Sequence, residues 1–110
     1  MKVPIADRAV VDIRKLTDYC LSHEHPRGKH KARVFLSALG MTTAHAGEFR
    51  DALLQKVRSE DCAISAVDEY GARYIVDFIY ARGDRGARVR STWIIKTGES
   101  TPRLTSCFVL

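Results

Sequence analysis

The sequence predicts an α+β domain: N-terminal helices packed on one face of a four-stranded antiparallel β-sheet. Two observations carry this. Apolar residues recur at helical spacing as far as Val57 and alternate from Cys62 onward, and these are the two periods of an amphipathic helix and a half-buried strand. The connections in the second half are short and rich in Gly and Asp, so neighbouring strands run antiparallel. Composition agrees. A chain of 110 residues, 45% hydrophobic and 28% charged, fills one core and lacks the bias of a disordered segment, so residues 1–110 are expected to form a single domain.

Asp12 is placed to cap a first helix carrying Ile13, Leu16, Tyr19 and Cys20 on one face. That helix stops within "SHEHPRG", where Pro26 and Gly28 interrupt. In the second helix, Ala32, Phe35, Leu36 and Leu39 fall at i, i+3, i+4 and i+7, and Gly40 stands where a left-handed cap is wanted. Thr42 or Thr43 starts a third helix with Ala46, Phe49, Leu53 and Val57 inward, its first turns weakened by Gly47. Four strands follow: "CAISAVD", "ARYIVDFIY", "ARVRSTWIIK" and "RLTSCFVL".

Strict alternation assigns each strand two faces. Tyr74, Val76, Phe78 and Tyr80 oppose Arg73, Ile75, Asp77 and Ile79; Val89, Ser91, Trp93 and Ile95 oppose Arg88, Arg90, Thr92 and Ile94. On the last strand Leu104, Ser106 and Phe108 oppose Arg103, Thr105, Cys107 and Val109. The apolar set belongs under the helices. The open face then gathers Arg73, Arg88, Arg90 and Arg103 around one carboxylate, Asp77, with Thr92 and Thr105 beside them. Arginine grips phosphate through two parallel hydrogen bonds, so this face is a candidate anion-binding surface; a solvated sheet face with an ion pair is the plainer reading of the same alternation. Trp93 falls with the core, with base stacking at a sheet edge as its alternative.

A net charge of +5 fits an anionic partner. The segment "HEHPRGKHKARVF" concentrates His23, His25, Arg27, Lys29, His30 and Lys31 ahead of the second helix. Cations at a helix start oppose the helix dipole unless an anion joins them. A metal site built from the three histidines lacks supporting ligand spacing, so neither metal nor other cofactor is expected. Three widely separated cysteines read as core residues. No apolar run approaches a membrane span and no signal peptide is visible, which points to action in the cytoplasm.

The strings "LTDYCLSHEHPRGKHKARVFLSALG", "YGARYIVD", "ARVRSTWIIKTGE" and "TPRLTS" resemble a bacterial domain family. That family occurs free-standing and at the C-termini of large secreted polymorphic toxins, including those of contact-dependent inhibition. The resemblance runs from about Ala6 to the end of the chain. The layout is also similar to that of the barnase–EndoU–colicin–RelE group of ribonucleases, a fold-level analogy. The resemblance implies a metal-independent, toxin-like endoribonuclease, with tRNA among its targets, that cuts by attack of the RNA 2′-OH on its own phosphate. It further implies an acidic antitoxin or immunity protein as partner. Under this implication Lys31 binds the scissile phosphate, Asp77 and His30 are candidates for base and acid without assignment between them, Arg90 is the central cation, and Thr105 bonds phosphate or orients a neighbour. Lys29, Arg73, Arg88, Thr92 and Arg103 would line the RNA path. The rival class is a non-catalytic module that binds nucleic acid or a protein partner on the same face.

Overall fold

The structure, a computed structural model, describes residues 1–110. Its regular elements are two α-helices, α1 (Gly28–Leu39) and α2 (Ala46–Ser59), followed by four strands: β1 (Ala63–Asp68), β2 (Gly71–Arg82), β3 (Arg85–Lys96) and β4 (Arg103–Val109). The strands form one antiparallel meander in the order β1-β2-β3-β4. This is the α+β arrangement the two sequence periods require, with helices ahead of the sheet.

The first expected helix is the one that departs. Asp12 does cap it, its Oδ1 accepting the Arg14 N–H at 3.0 Å. After Arg14 and Lys15, however, the chain widens into a five-residue π-helix, Leu16–Cys20, closed by the Leu21 N–H on the Leu16 carbonyl at 2.9 Å. A π-turn shifts every later side chain relative to a 3.6-residue stripe. Leu16 and Cys20 are buried as expected, whereas Tyr19 is half-exposed.

In α1 the inward stripe is Ala32, Phe35 and Leu39; Leu36, expected to face in, is exposed. Gly40 closes the helix with φ of 64° and its N–H on the Leu36 carbonyl at 2.8 Å, the left-handed cap that glycine permits. Two arginines from the β2–β3 hairpin finish that end. Arg82 donates to the Leu39 and Gly40 carbonyls at 3.2 and 3.4 Å, and Arg85 reaches toward the Leu36 carbonyl at 3.5 Å, where a cation also suits the helix dipole. In α2 the four expected residues, Ala46, Phe49, Leu53 and Val57, are all buried. Thr42 and His45 form a reciprocal capping box just ahead of it.

The helix-covered sheet face carries Tyr74, Val76, Phe78, Val89, Trp93, Leu104 and Cys107, joined in one core with Phe35, Leu39, Phe49, Leu53 and Val57. Each fully buried Leu, Phe or Val adds about 1.5–3 kcal/mol of apolar burial. Trp93 has no exposed surface; its indole N–H donates to Ser91 Oγ at 2.9 Å, and Ser91 donates to the Val76 carbonyl at 2.8 Å. Base stacking by Trp93 is thereby ruled out. Cys20 and Cys107 are buried and Cys62 half-buried, all three as free thiols.

Register between β2 and β3 is regular, pairing Tyr74 with Trp93 and Asp77 with Arg90. Between β3 and β4 it slips: Thr92 pairs with Ser106 but Trp93 with Leu104, leaving Thr105 as an extra residue. One added residue inverts all that follow. Cys107 therefore lies opposite Ser91 on the covered face and Phe108 opposite Arg90, the reverse of strict alternation. The outer edge of β4 is half covered by the N-terminal segment, where Val10 bonds to Pro102 and Leu104 at 2.8 and 3.0 Å. That bridge delivers Asp12 and the π-turn to the side of Thr105.

Candidate functional site

On the open sheet face the arginines are mostly engaged. Both oxygens of Asp77 accept from the Arg90 guanidinium at 2.9 Å. This hydrogen-bonded pair holds the Asp77 carboxyl below the usual carboxylate range and raises Arg90, so Asp77 stands ionised with both oxygens bonded to Arg90. Arg73 pairs with Asp68, and Arg103 with Glu99 at 3.3 Å. Arg88 has no ion-pair partner and lines a shallow recess with Lys56, Glu60 and Asp77. The expected imbalance of four arginines against one carboxylate thus becomes three ion pairs and one free arginine. The extra acids sit at the end of β1 and in the β3–β4 connection, where counting along the two central strands does not find them.

The open side of β4 leads to a different place. Thr105, displaced outward by the bulge, donates to the Thr92 carbonyl at 3.0 Å, and the two threonine hydroxyls meet at 2.6 Å. Thr105 and Ser106 form one wall of a cleft of about 610 Å³. The other wall comes from Asp12, Arg14, Lys15, Asp18 and Tyr19 of the π-turn region, with His25 and Arg27 from the loop that enters α1. Asp12 and Arg14 neutralise each other at 2.8 Å, and the Arg14 guanidinium draws the Asp12 carboxyl down to about 2. Lys15, Arg27 and Asp18 are exposed and make no ion pair, so the cleft, lined by three cations and two carboxylates, carries one positive charge in excess.

Hydrogen bonds tie the floor of this cleft to the start of α1. His25 Nδ1 accepts the backbone N–H groups of Arg27 and Gly28 at 3.0 and 2.9 Å. A ring nitrogen that accepts two N–H groups carries no proton, so the imidazole is neutral with its hydrogen on Nε2. The ring stands edge-on to Tyr19, centroids 4.8 Å apart. Behind Tyr19, Lys31 Nζ donates to the phenol oxygen at 2.7 Å. Gly28 lets these parts meet: a β-carbon there would lie 2.0 Å from the Tyr19 carbonyl oxygen.

Of the residues singled out from the sequence, Thr105 lies in the cleft and Lys31 directly behind it. Lys31 stands in the first turn of α1, which begins three residues earlier than the "KA" pair. His30 and Lys31 line a neighbouring groove with Val34, Phe108 and Val109. Lys29 is half-buried beside them, without an ion-pair partner. Asp77, Arg90, Arg73, Arg88 and Arg103 lie outside the cleft, and Thr92 touches it through Thr105. His23, His25 and His30 do not gather into a metal-ligand group. Sequence reasoning missed Tyr19, assigned to the core by its helical spacing, and Lys15. It flagged His25 and Arg27 only as members of a cationic segment.

Fold and cleft together define a class: a small α+β domain whose first helix carries, at its N-terminal end, a polar cleft beside the last strand. The chain belongs to the family described as a domain of unknown function, DUF6883, whose model matches residues 2–110. No curated protein matches it. Among solved structures, it is similar to a chain of the contact-dependent growth inhibition toxin–immunity protein complex from Klebsiella pneumoniae 342. The TM-score is 0.68 at 15% sequence identity, over 94% of this chain and 95% of that one. At that identity the likeness is one of fold. No helix is long and apolar enough to cross a membrane.

Proposed function

We propose that this chain is a toxin-like endoribonuclease acting in the cytoplasm as a single domain, and that RNA is cut in the cleft between the π-turn and β4. The observation that carries the reading is the cleft's content: a phenol, a neutral imidazole with a free N–H, two unpaired cations and a β4 hydroxyl, all held on fixed backbone. Cleavage by the RNA's own 2′-OH needs such parts. The 2′-oxygen bonds to phosphorus, the bond to the 5′-oxygen breaks, and charge accumulates on the phosphorane, leaving a 2′,3′-cyclic phosphate and a 5′-hydroxyl. Lys15 and Arg27 answer that charge, and His25 Nε2–H is a donor for a non-bridging oxygen. On the opposite wall Thr105, its hydrogen given to the Thr92 carbonyl, orients its neighbour Thr92 and does not bond the phosphate. Beyond the cleft the strand continues over the open face, where Arg88 is available and the Thr92 hydroxyl is held by Thr105 and the Ser106 carbonyl. No step in this scheme calls for a metal. The fold shared with a chain of a toxin–immunity protein complex supports a toxin-related role and a protein partner, and the net charge of +5 suits an acidic one.

The test is incubation of purified protein with total RNA and with tRNA in a chelator, followed by end-mapping. Discrete cuts ending in 2′,3′-cyclic phosphate are expected. RNA bound at low salt but left intact by wild-type protein would replace this reading with that of a non-catalytic binding module.

A further inference from the structure

We infer that Tyr19 is the proton-donating catalytic residue of this cleft and that Lys31 is its positioning residue, acting through the phenol oxygen rather than on the RNA. The inference rests on the ribonuclease reading and deepens it. An ammonium has donors and no acceptor, so the 2.7 Å contact between Lys31 Nζ and Tyr19 Oη is a bond that Lys31 donates. The phenol's own hydrogen is then left free of Lys31 for a second partner, and Tyr19 is one of the residues that line the cleft. The charge that develops on the phenol oxygen as it gives up that hydrogen falls directly against the ammonium. The pair is built in by packing. Lys31 is half-buried between Tyr19 and Phe108, 6.0 Å from the latter's ring centroid. Gly28, one helical turn earlier, brings the α1 backbone against the Tyr19 carbonyl.

The same helix start gives His25 a different role. Its Nδ1 lone pair is spent on Arg27 and Gly28, which leaves Nε2–H as the ring's hydrogen-bond donor toward the phosphate. The step then balances. As the 2′-oxygen–phosphorus bond forms and the phosphorus–5′-oxygen bond breaks, Tyr19 gives its proton to the 5′-oxygen and the 2′-hydroxyl proton passes to water. Solvent afterwards reprotonates the phenolate. The other charged groups of the cleft are the Asp12–Arg14 pair, Lys15 and Asp18 on the π-turn segment and Arg27 on the loop, while β4 offers only hydroxyls.

The experiment compares wild type, Tyr19→Phe, Lys31→Met and Lys31→Arg in full-length protein. Cleavage kinetics are run beside binding to a non-cleavable 2′-O-methyl RNA. Lys31→Met should lower kcat by about 10²-fold, within the range for impaired acid–base catalysis, leave affinity for the non-cleavable RNA within about twofold, and be partly rescued by Lys31→Arg. A phosphate-binding Lys31 would instead weaken that affinity and reduce its salt dependence, overturning the proposal. Independently of RNA, 3-fluorotyrosine labelling gives four fluorine resonances for the four tyrosines, with Tyr19 assigned by its loss in Tyr19→Phe. Lys31→Met should shift that resonance while circular dichroism stays unchanged; an unmoved resonance overturns the proposal whatever the activity. If the resonance moves but wild type cuts no RNA, the ribonuclease reading fails and the catalytic role of the pair falls with it.

Discussion

Gly28 and Tyr19 touch backbone to backbone: a β-carbon at position 28 would sit 2.0 Å from the Tyr19 carbonyl oxygen. Real β-carbons do not come so close, so helix α1 can seat on the π-turn only with glycine there. The contact sets where Lys31 and His25 stand relative to Tyr19. Gly28→Ala should therefore cost about 1–3 kcal/mol, the range for overpacking a tight contact, and should lower activity more than its stability loss explains. Gly47 is the control. It lies in the first turn of α2 with nothing within 4 Å of an added β-carbon, so Gly47→Ala should stabilise by about 0.5–1 kcal/mol. Urea denaturation of both variants measures the contrast. Equal effects would show that the Gly28 contact is not tight in solution.

Asp77 separates the sequence reading from the structural one. Alternation puts its carboxylate among arginines, where proton transfer is one possible role. The structure instead gives it a two-point bond with Arg90 at a distance from the cleft. Asp77→Asn should cost about 1 kcal/mol, the upper end for a half-exposed pair, and leave RNA cleavage within about threefold of wild type. A loss of 10²-fold or more in a folded Asp77→Asn variant would return catalysis to the open face.

Acid stability follows from the same carboxylates. Arg90 lowers Asp77, and Arg14 lowers Asp12 to about 2. A carboxyl lowered in the folded state binds its proton more readily when unfolded, so its contribution is present above the ordinary value near 4 and is lost as pH falls through the lowered one. Thermal stability should be flat from neutrality down to about pH 4 and then decline toward pH 2. Asp77→Asn should flatten part of that decline, and an unchanged slope would mean the Asp77–Arg90 bond does not form in solution.

RNA affinity should fall steeply with salt, and the slope should identify which cations do the work. Neutralising a free cation that meets phosphate reduces the slope by about one unit. Lys15→Ala and Arg27→Ala should each do so. Arg73→Ala should not, because Arg73 is already paired with Asp68. Fluorescence anisotropy over a salt series checks the three, and equal slopes for all would place RNA on the sheet face instead.

How much of this was legible in the sequence depends on whether local pattern decided it. The helix stripe from Ala46 to Val57 and the alternation of β2 and β3 follow from period alone, although Ile94, assigned to the open face, is buried and Ile95 only half-buried. The Gly40 cap follows from backbone conformation. Leu36 failed at the margin of a regular stripe, and two other failures share a cause: one residue more or less than the period. The π-turn took Tyr19 out of the core stripe, and the Thr105 bulge reversed Cys107 and Phe108. Both irregularities border the cleft, so the site was least visible where it was most distinctive. Charges at strand ends, Asp68 and Glu99, were invisible for a different reason: their partners are set by turn geometry and not by alternation.

His25 tests the cleft most directly, because its two ring nitrogens do different things. Nδ1 holds the start of α1 through the Arg27 and Gly28 N–H groups; Nε2–H is the donor proposed for the phosphate. Asparagine places its amide oxygen near the Nδ1 position, so His25→Asn should keep the backbone bonds while removing the donor. Alanine removes both. His25→Ala should therefore lose about 1 kcal/mol of stability, as other helix-cap deletions do, and His25→Asn should lose little. Yet both should reduce cleavage by about 10²–10³-fold, the loss expected when one donor to a developing oxyanion is deleted. Arg58→Ala, remote at the end of α2 and bonded to the Ala6 and Asp7 carbonyls, should cleave as wild type does. Thermal melts and single-turnover cleavage of one RNA substrate measure the two effects separately. If His25→Asn cleaves normally, the imidazole serves only to cap α1, and the phosphate must be held by Lys15 and Arg27 without it.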